Sequence, residues 1–376
     1  MARFDPIASL RPHLQDLPPY EALVDAVSIA ARHGVPADQV LQLDGNENPY
    51  GPSPKALEAL RGEYAAERYS DATQSRLRRA LSEHLGVPAQ SIIAGAGSDE
   101  LIDLIFRMWV APGDRVVTCG PTFGMYAFDA GLHQAEFVDV PRLDDWSVNG
   151  PALLDAAKGA KAVFLATPNN PTGNSLQPEL VEPLLNSGAL IVLDEAYIEF
   201  AEAESLAARA ASEPALIVLR TFSKWAGLAG LRLGYAIAVA ETIDIALRAK
   251  QPYNTGAAAQ AAAIASLGDT EELDRRAAIL RQECDRMTHA LRQQEWLEPF
   301  PSETNFVLVR TTGHEGVTVS DALRRHGIFI RTYGNEQLRN CIRISIGTPE
   351  QNDRVIATLA EIGNELNAGE LGAASG

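Results

Sequence analysis

Thr221-Phe222-Ser223-Lys224-Trp225-Ala226-Gly227-Leu228-Ala229-Gly230-Leu231-Arg232-Leu233-Gly234 sets one lysine in a loop of small residues just upstream of an arginine. A lysine that links covalently to a carbonyl works best uncrowded and partly desolvated, and a nearby arginine can hold a phosphate bidentately. The stretch therefore suits a phosphorylated carbonyl compound. Taken alone, a Ser-Lys pair on a glycine-rich turn is the ordinary sign of a surface lysine. The rest of the chain decides between the two.

At Ala189-Leu190-Ile191-Val192-Leu193-Asp194-Glu195-Ala196-Tyr197 a continuous apolar run ends in an acid. This is the pattern of a buried parallel strand that delivers a carboxylate at its C-terminal end, where open α/β sheets bind ligands. Asp194 is then a candidate to keep a pyridine-type ring nitrogen protonated, which makes the ring an electron sink; read singly, it is also an ordinary cap or turn residue. The apolar strand 162–166 leads into Thr167-Pro168-Asn169-Asn170-Pro171-Thr172-Gly173, whose prolines and glycine fix a particular backbone path. Asn170 could donate from that loop to a ring hydroxyl. Ile92-Ile93-Ala94 followed by Gly95-Ala96-Gly97-Ser98-Asp99-Glu100 reads as strand, turn and helix start, where free N–H groups and the helix dipole favour an anion. Ser98 and Asp99 sit at that start, with Asp99 read as a capping residue that offers its backbone to the ligand. Lysine, ring acid and phosphate cup together suit pyridoxal phosphate.

These segments, with Asn46-Glu47-Asn48-Pro49-Tyr50-Gly51, Pro121-Thr122-Phe123-Gly124-Met125-Tyr126 and Arg343-Ile344-Ser345-Ile346-Gly347-Thr348, occur in the order seen in fold-type I pyridoxal-phosphate aminotransferases. Over nearly the whole chain, from about Tyr20, the sequence most resembles the histidinol-phosphate branch of that family. The resemblance implies that Lys224 holds the cofactor covalently and, once displaced, shuttles the proton between substrate carbon and cofactor. It places Ser223, Arg232 and the backbone at Ser98 and Asp99 around the phosphate, and Asp194 on the ring nitrogen. Asn170 and Tyr197 match the pair on the ring oxygen, and Phe123 the stacking aromatic, here without the hydroxyl of the more frequent tyrosine. Tyr50 matches a tyrosine that reaches the phosphate of a neighbouring subunit, which implies a homodimer. Arg343 matches the grip on a substrate α-carboxylate, Arg331 the grip on a substrate phosphate, and Tyr20 a tyrosine over the substrate. The implied reaction moves the amino group of L-histidinol phosphate to 2-oxoglutarate; an aromatic amino-acid aminotransferase and a phospho-amino-acid decarboxylase are the other readings.

Independently of the resemblance, 327–331 and 341–346 both alternate or run apolar like strands, so each could project a guanidinium, Arg331 and Arg343, from a sheet. Two anion sites suit a substrate with a carboxylate and a distal phosphate, and equally the two carboxylates of glutamate. Apolar runs at 115–118, 162–166, 190–193, 216–219 and 235–239 are separated by segments long enough for helical crossovers. The predicted fold is an α/β, three-layer αβα sandwich with a mostly parallel sheet, plus a smaller α+β domain. Residues 45–255 are expected to form the large cofactor-binding domain, and 1–44 with 256–376 the small one. Leucines 77, 81 and 85 repeat at helical spacing up to Gly86, an alanine-rich helix is expected through 265, and a charged one over 271–294. The Gly, Ala and Ser-rich end from about 368 is expected to be disordered.

The net charge of −17 argues against nucleic acid and anionic membrane as partners, and it leaves any phosphate to be attracted by local arginines. No run reaches the roughly 20 apolar residues of a membrane span, and no N-terminal stretch is spare for a DNA-binding helix-turn-helix. Cys119, Cys284 and Cys341 lie far apart without metal or redox spacing, which suits the cytoplasm. The expected partners are small-molecule substrates, an amino donor and a 2-oxo acid.

Overall fold

A computed structural model describes residues 5–15, 24, 26–62 and 67–367. Its first strand, β1 (Leu41–Leu43), is followed by β2 (Ile92–Gly95), β3 (Arg115–Gly120), β4 (Glu136–Pro141), β5 (Ala162–Ala166), β6 (Leu190–Asp194), β7 (Leu216–Thr221) and β8 (Gly234–Ile237). Later come β9 (Leu297–Pro299), β10 (Phe306–Thr311), β11 (Ile328–Thr332) and β12 (Cys341–Ser345). Strands β2 to β8 make one seven-stranded sheet in the order β2-β8-β7-β6-β5-β3-β4. Neighbours run parallel except β8, which is antiparallel to both β2 and β7.

The continuous apolar runs have the cause expected of them. On β5, Val163 and Leu165 point into one buried cluster while Ala162 and Phe164 point into another. Both faces of the sheet are therefore covered, and alternation is lost because neither side meets water. The helix Ser75–Leu85 buries Leu77 and Leu81 and stops at Gly86, whose φ of 68° is the left-handed conformation that closes a helix. The helices Ala257–Leu267 and Thr270–Leu291 match the alanine-rich and charged stretches.

The second sheet has the order β1-β11-β12-β10-β9. Here β1 runs parallel to β11, while β11, β12, β10 and β9 are antiparallel. Three strands carry too little sequence signal to be predicted: β1 and β9 are three residues long, and β4 is a half-exposed edge. The predicted run to Val239 also ends sooner, because Val239 precedes the helix Ala240–Ala249. Tyr20 and the stretch from 368 lie outside the described residues.

Candidate active site

The lysine loop leaves the end of β7 and is held in place by the segment 46–51. Asn48 donates through Nδ2 to the carbonyls of Lys224 (3.3 Å) and Trp225 (3.0 Å). Gly227 has φ 67° and lies so close to Gly51 that a Cβ would run into the Gly51 carbonyl, so glycine is required there. Lys224 Nζ donates to the Gly45 carbonyl at 2.9 Å. Desolvation, and after it the Arg343 guanidinium, bring its pKa down to about 8. A free-base amine is thus within reach near neutral pH, as nucleophilic attack on a carbonyl needs.

Asp194 closes β6 and is 4% exposed. Its carboxylate accepts the Tyr126 hydroxyl at 2.9 Å and the Ala196 backbone N–H at 3.1 Å, and it caps no helix. Burial raises its pKa to about 6. A buried carboxylate with only neutral donors is short of a positive partner, and a protonated ring nitrogen would be one. Phe123 packs edge-on against Tyr126 at 5.8 Å. The sequence sets Tyr126 in a family motif but not against Asp194, which it meets only through the fold.

The expected phosphate cup is drawn together by glycines. Gly97, with φ 82°, opens the helix Gly97–Trp109, and a Cβ on it would collide with the Arg232 guanidinium. On Gly234 a Cβ would stand 2.6 Å from the Ser98 nitrogen. Ser98 and Arg232 are thereby brought to the same helix N-terminus, where an anion is favoured. Ser223 accepts from the Thr221 hydroxyl at 2.9 Å, which leaves its own proton for another acceptor. Asp99 is not the capping residue it was expected to be. Its carboxylate pairs with Arg232 Nη2 at 2.7 Å, while Glu100 reaches back to accept the Ala96 N–H at 2.6 Å. The carboxylate that closes the helix start is thus the one four residues on, while Arg232 takes Asp99.

Of the two loop asparagines, Asn169 is scaffolding. It is fully buried and bonds Pro121, Thr122 and Thr172, tying its loop to the one that carries Phe123. Asn170 instead accepts Arg343 Nη1 on its Oδ1 at 2.5 Å. Its amide N–H groups have no acceptor among the described residues. Tyr197, 5% exposed, accepts Asn46 Nδ2 on its hydroxyl at 3.0 Å. Asn170 and Tyr197 thus each accept one hydrogen bond and keep a proton to donate, which fits a shared anionic oxygen.

Arg343 on β12 stands directly opposite Arg331 on β11. Like charges in that register repel, and the Asp44 carboxylate, which acts on both guanidinia, offsets part of that repulsion. Arg343 is 7% exposed; its Nη2 donates to the Asp44 carbonyl, the Phe306 ring lies 5.3 Å away, and its Nε is buried without a partner among the described residues. Tyr50 is half-buried in its own chain, with the Arg276 guanidinium 6.0 Å from its ring centroid.

Comparison with known proteins follows the same lines. The family described as aminotransferase class I and II matches residues 38–359. The chain belongs to the class I and II aminotransferases. A relative from Roseiflexus castenholzii named histidinol-phosphate aminotransferase is 45% identical over 363 residues, 94% of this chain and 98% of the relative. A chloroplastic histidinol-phosphate aminotransferase of Nicotiana plumbaginifolia is 40% identical over 94% of this chain and 86% of its own. The crystal structure of histidinol-phosphate aminotransferase from Sinorhizobium meliloti in complex with pyridoxal-5'-phosphate superposes with a TM-score of 0.87 at 32% identity, covering 96% of this aminotransferase and 98% of that chain. The three-layer α/β sandwich is that of fold-type I. Among the described residues, no helix is long and apolar enough to cross a membrane.

Proposed function

We propose that this aminotransferase binds pyridoxal phosphate through Lys224 and transfers the amino group of L-histidinol phosphate to 2-oxoglutarate, giving imidazole-acetol phosphate and L-glutamate. The observation that carries the substrate is the Arg331–Arg343 pair in one cross-strand register, beside Asn170. Relatives of 40–45% identity bearing that activity support it. Once bound, the cofactor supplies an electron sink for the substrate α-carbon. Asp194 would hold the proton on the ring nitrogen, Asn170 and Tyr197 would donate to the ring oxygen, and Phe123 would lie against the ring. Ser98, Asp99 and Ser223 through the helix start and loop, with Arg232, bind the phosphate. The Lys224 amine would carry the proton to and from the substrate α-carbon. Arg343 holds the α-carboxylate of glutamate and Arg331 the substrate phosphate. The test is a set of half-reactions, following the cofactor spectrum as each amino donor is added; faster conversion by phenylalanine than by histidinol phosphate would move the reading to the aromatic class, and release of CO2 to the decarboxylase.

Arg331→Ala should lose about 2–5 kcal/mol of binding to the phosphorylated substrate and much less for phenylalanine, because one charge-assisted pair is removed. Arg343→Ala should impair every amino-acid substrate, since all share the α-carboxylate. Steady-state kcat/KM for histidinol phosphate and phenylalanine reads the first outcome, and for glutamate and phenylalanine, which carry the α-carboxylate that histidinol phosphate lacks, the second. Equal impairment of both substrates by Arg331→Ala would remove the phosphate role.

We further infer a homodimer, in which Tyr50 reaches the partner's cofactor phosphate. An exposed aromatic stack supports an interface nearby: Tyr69, 83% exposed, and Tyr253, 52% exposed, lie 4.5 Å apart beside the loop of Asn254, which bonds Glu100 at the phosphate helix. Mixing Tyr50→Phe with Lys224→Ala subunits should restore activity, because each exchanged dimer has one site free of both lesions. Activity no higher than the parents after verified exchange would rule the shared site out. Three free, buried cysteines suit the cytoplasm, where we place the enzyme. We assign 45–255 to the cofactor-binding domain and 1–44 with 256–376 to the smaller one.

A further inference from the structure

Asn46 is 1% exposed, lies just beyond the end of β1 and holds a left-handed φ of 52°, a conformation that asparagine tolerates better than most residues. Its backbone N–H donates to Ser345 Oγ at 2.8 Å, and the Ser345 hydroxyl donates back to Asn46 Oδ1 at 3.0 Å. Asn305 Nδ2 donates to the Asn46 carbonyl at 3.0 Å. With Oδ1 occupied by Ser345, the amide nitrogen faces Tyr197 and donates to its hydroxyl oxygen at 3.0 Å. No acceptor for the Tyr197 proton is present among the described residues. A phenol has one proton to give, so whichever neighbour takes that proton sets its direction.

We propose that Asn46 is a positioning residue that, by donating its amide N–H to the Tyr197 hydroxyl, aims the Tyr197 proton at the ring oxygen of the cofactor. The inference rests on the cofactor reading given above. It also ties β12, which carries Arg343 two residues before Ser345, to the cofactor through Ser345, Asn46 and Tyr197. Asn46 itself touches neither cofactor nor substrate in this scheme. Its influence is on the proton affinity of the Lys224 nitrogen bonded to cofactor, which a donor on the ring oxygen lowers.

The experiment is a visible-absorbance pH titration of the intact holoenzyme. In Asn46→Asp the side chain only accepts when ionised, so the Tyr197 proton turns toward it and away from the ring oxygen. The titration midpoint should rise by about one pH unit, the worth of one hydrogen bond. Tyr197→Phe should raise it similarly, and the double variant should rise no further than Tyr197→Phe alone. Additive shifts would mean that the new charge acts directly, and would overturn the proposal; so would an Asn46→Asp midpoint equal to wild type while Tyr197→Phe shifts. Should Asn46→Asp fail to fold, Asn46→Gly keeps the left-handed backbone and removes the donor; a midpoint raised in the Tyr197→Phe background as much as in wild type would again overturn it. A wild-type protein without a pH-sensitive visible band would instead defeat the cofactor reading.

Discussion

Lys224→Ala protein should purify without covalently held cofactor and should transaminate slower by roughly 10²–10⁴-fold or more, from the lost proton transfer alone. In wild type, borohydride should fix pyridoxal phosphate to the peptide that contains Lys224. The variant should still fold. Lys224 has a folded pKa of about 8 against an ordinary value of 10.5, so below pH 8 the protein carries a poorly solvated ammonium. Between these values the unfolded chain binds more protons than the folded one, and stability contributed by this group rises with pH from about 8 to 10.5. At pH 7 the alanine variant is therefore expected to be at least as stable as the cofactor-stripped wild type. Denaturant titration checks stability and single-turnover absorbance checks chemistry. Wild-type turnover by a Lys224→Ala enzyme would remove the lysine from the mechanism.

Asp194→Asn should lower turnover by orders of magnitude, because an amide cannot hold a proton on the ring nitrogen. The packing should survive: one amide oxygen can keep the Ala196 N–H, and the amide N–H can face the Tyr126 oxygen in place of the present bond. Stability of the apoprotein moves the other way. The Asp194 pKa is raised from 3.8 to about 6, so across that window the folded chain holds the proton that the unfolded chain has lost. Rising pH then costs wild-type apoprotein on the order of 2–3 kcal/mol between about pH 4 and 6, a cost that the asparagine variant lacks. Apoprotein unfolding at pH 4 and pH 7 would read the difference. A cofactor-loaded Asp194→Asn enzyme of near-normal turnover would return Asp194 to a purely structural part.

What was legible in the chain is what has a local signature. Lys224 lies in a small-residue loop, Asp194 ends an apolar run, and Arg331 and Arg343 interrupt strand patterns, so each could be found by inspection. Their mutual register could not, because pairing of β11 with β12 is a property of the folded sheet. The contacts of Tyr126, Asn46 and Ser345 stayed hidden for the same reason: Asn46 and Ser345 are 299 residues apart in sequence. The Asp99 assignment failed because a distant residue, Arg232, takes its carboxylate, which a local capping pattern cannot show. Strand β8 reads like its neighbours although it runs the other way, because direction leaves no trace in composition.

Strand β1 sits early in the chain, yet its parallel partner β11 begins at Ile328, paired with Leu41. The carbonyls just after β1, those of Asp44 and Gly45, receive Arg343 and Lys224. On the ribosome, the sheet strands β2 to β8 can emerge and pair while this early segment has no edge to join. The carbonyls that receive Arg343 and Lys224 are therefore held in place only once β11 is available to pair with β1. A truncation before Ile328 should yield a chain that retains the seven sheet strands but cannot complete the pocket, and its waiting N-terminal segment should be cut by protease faster than in the full-length protein.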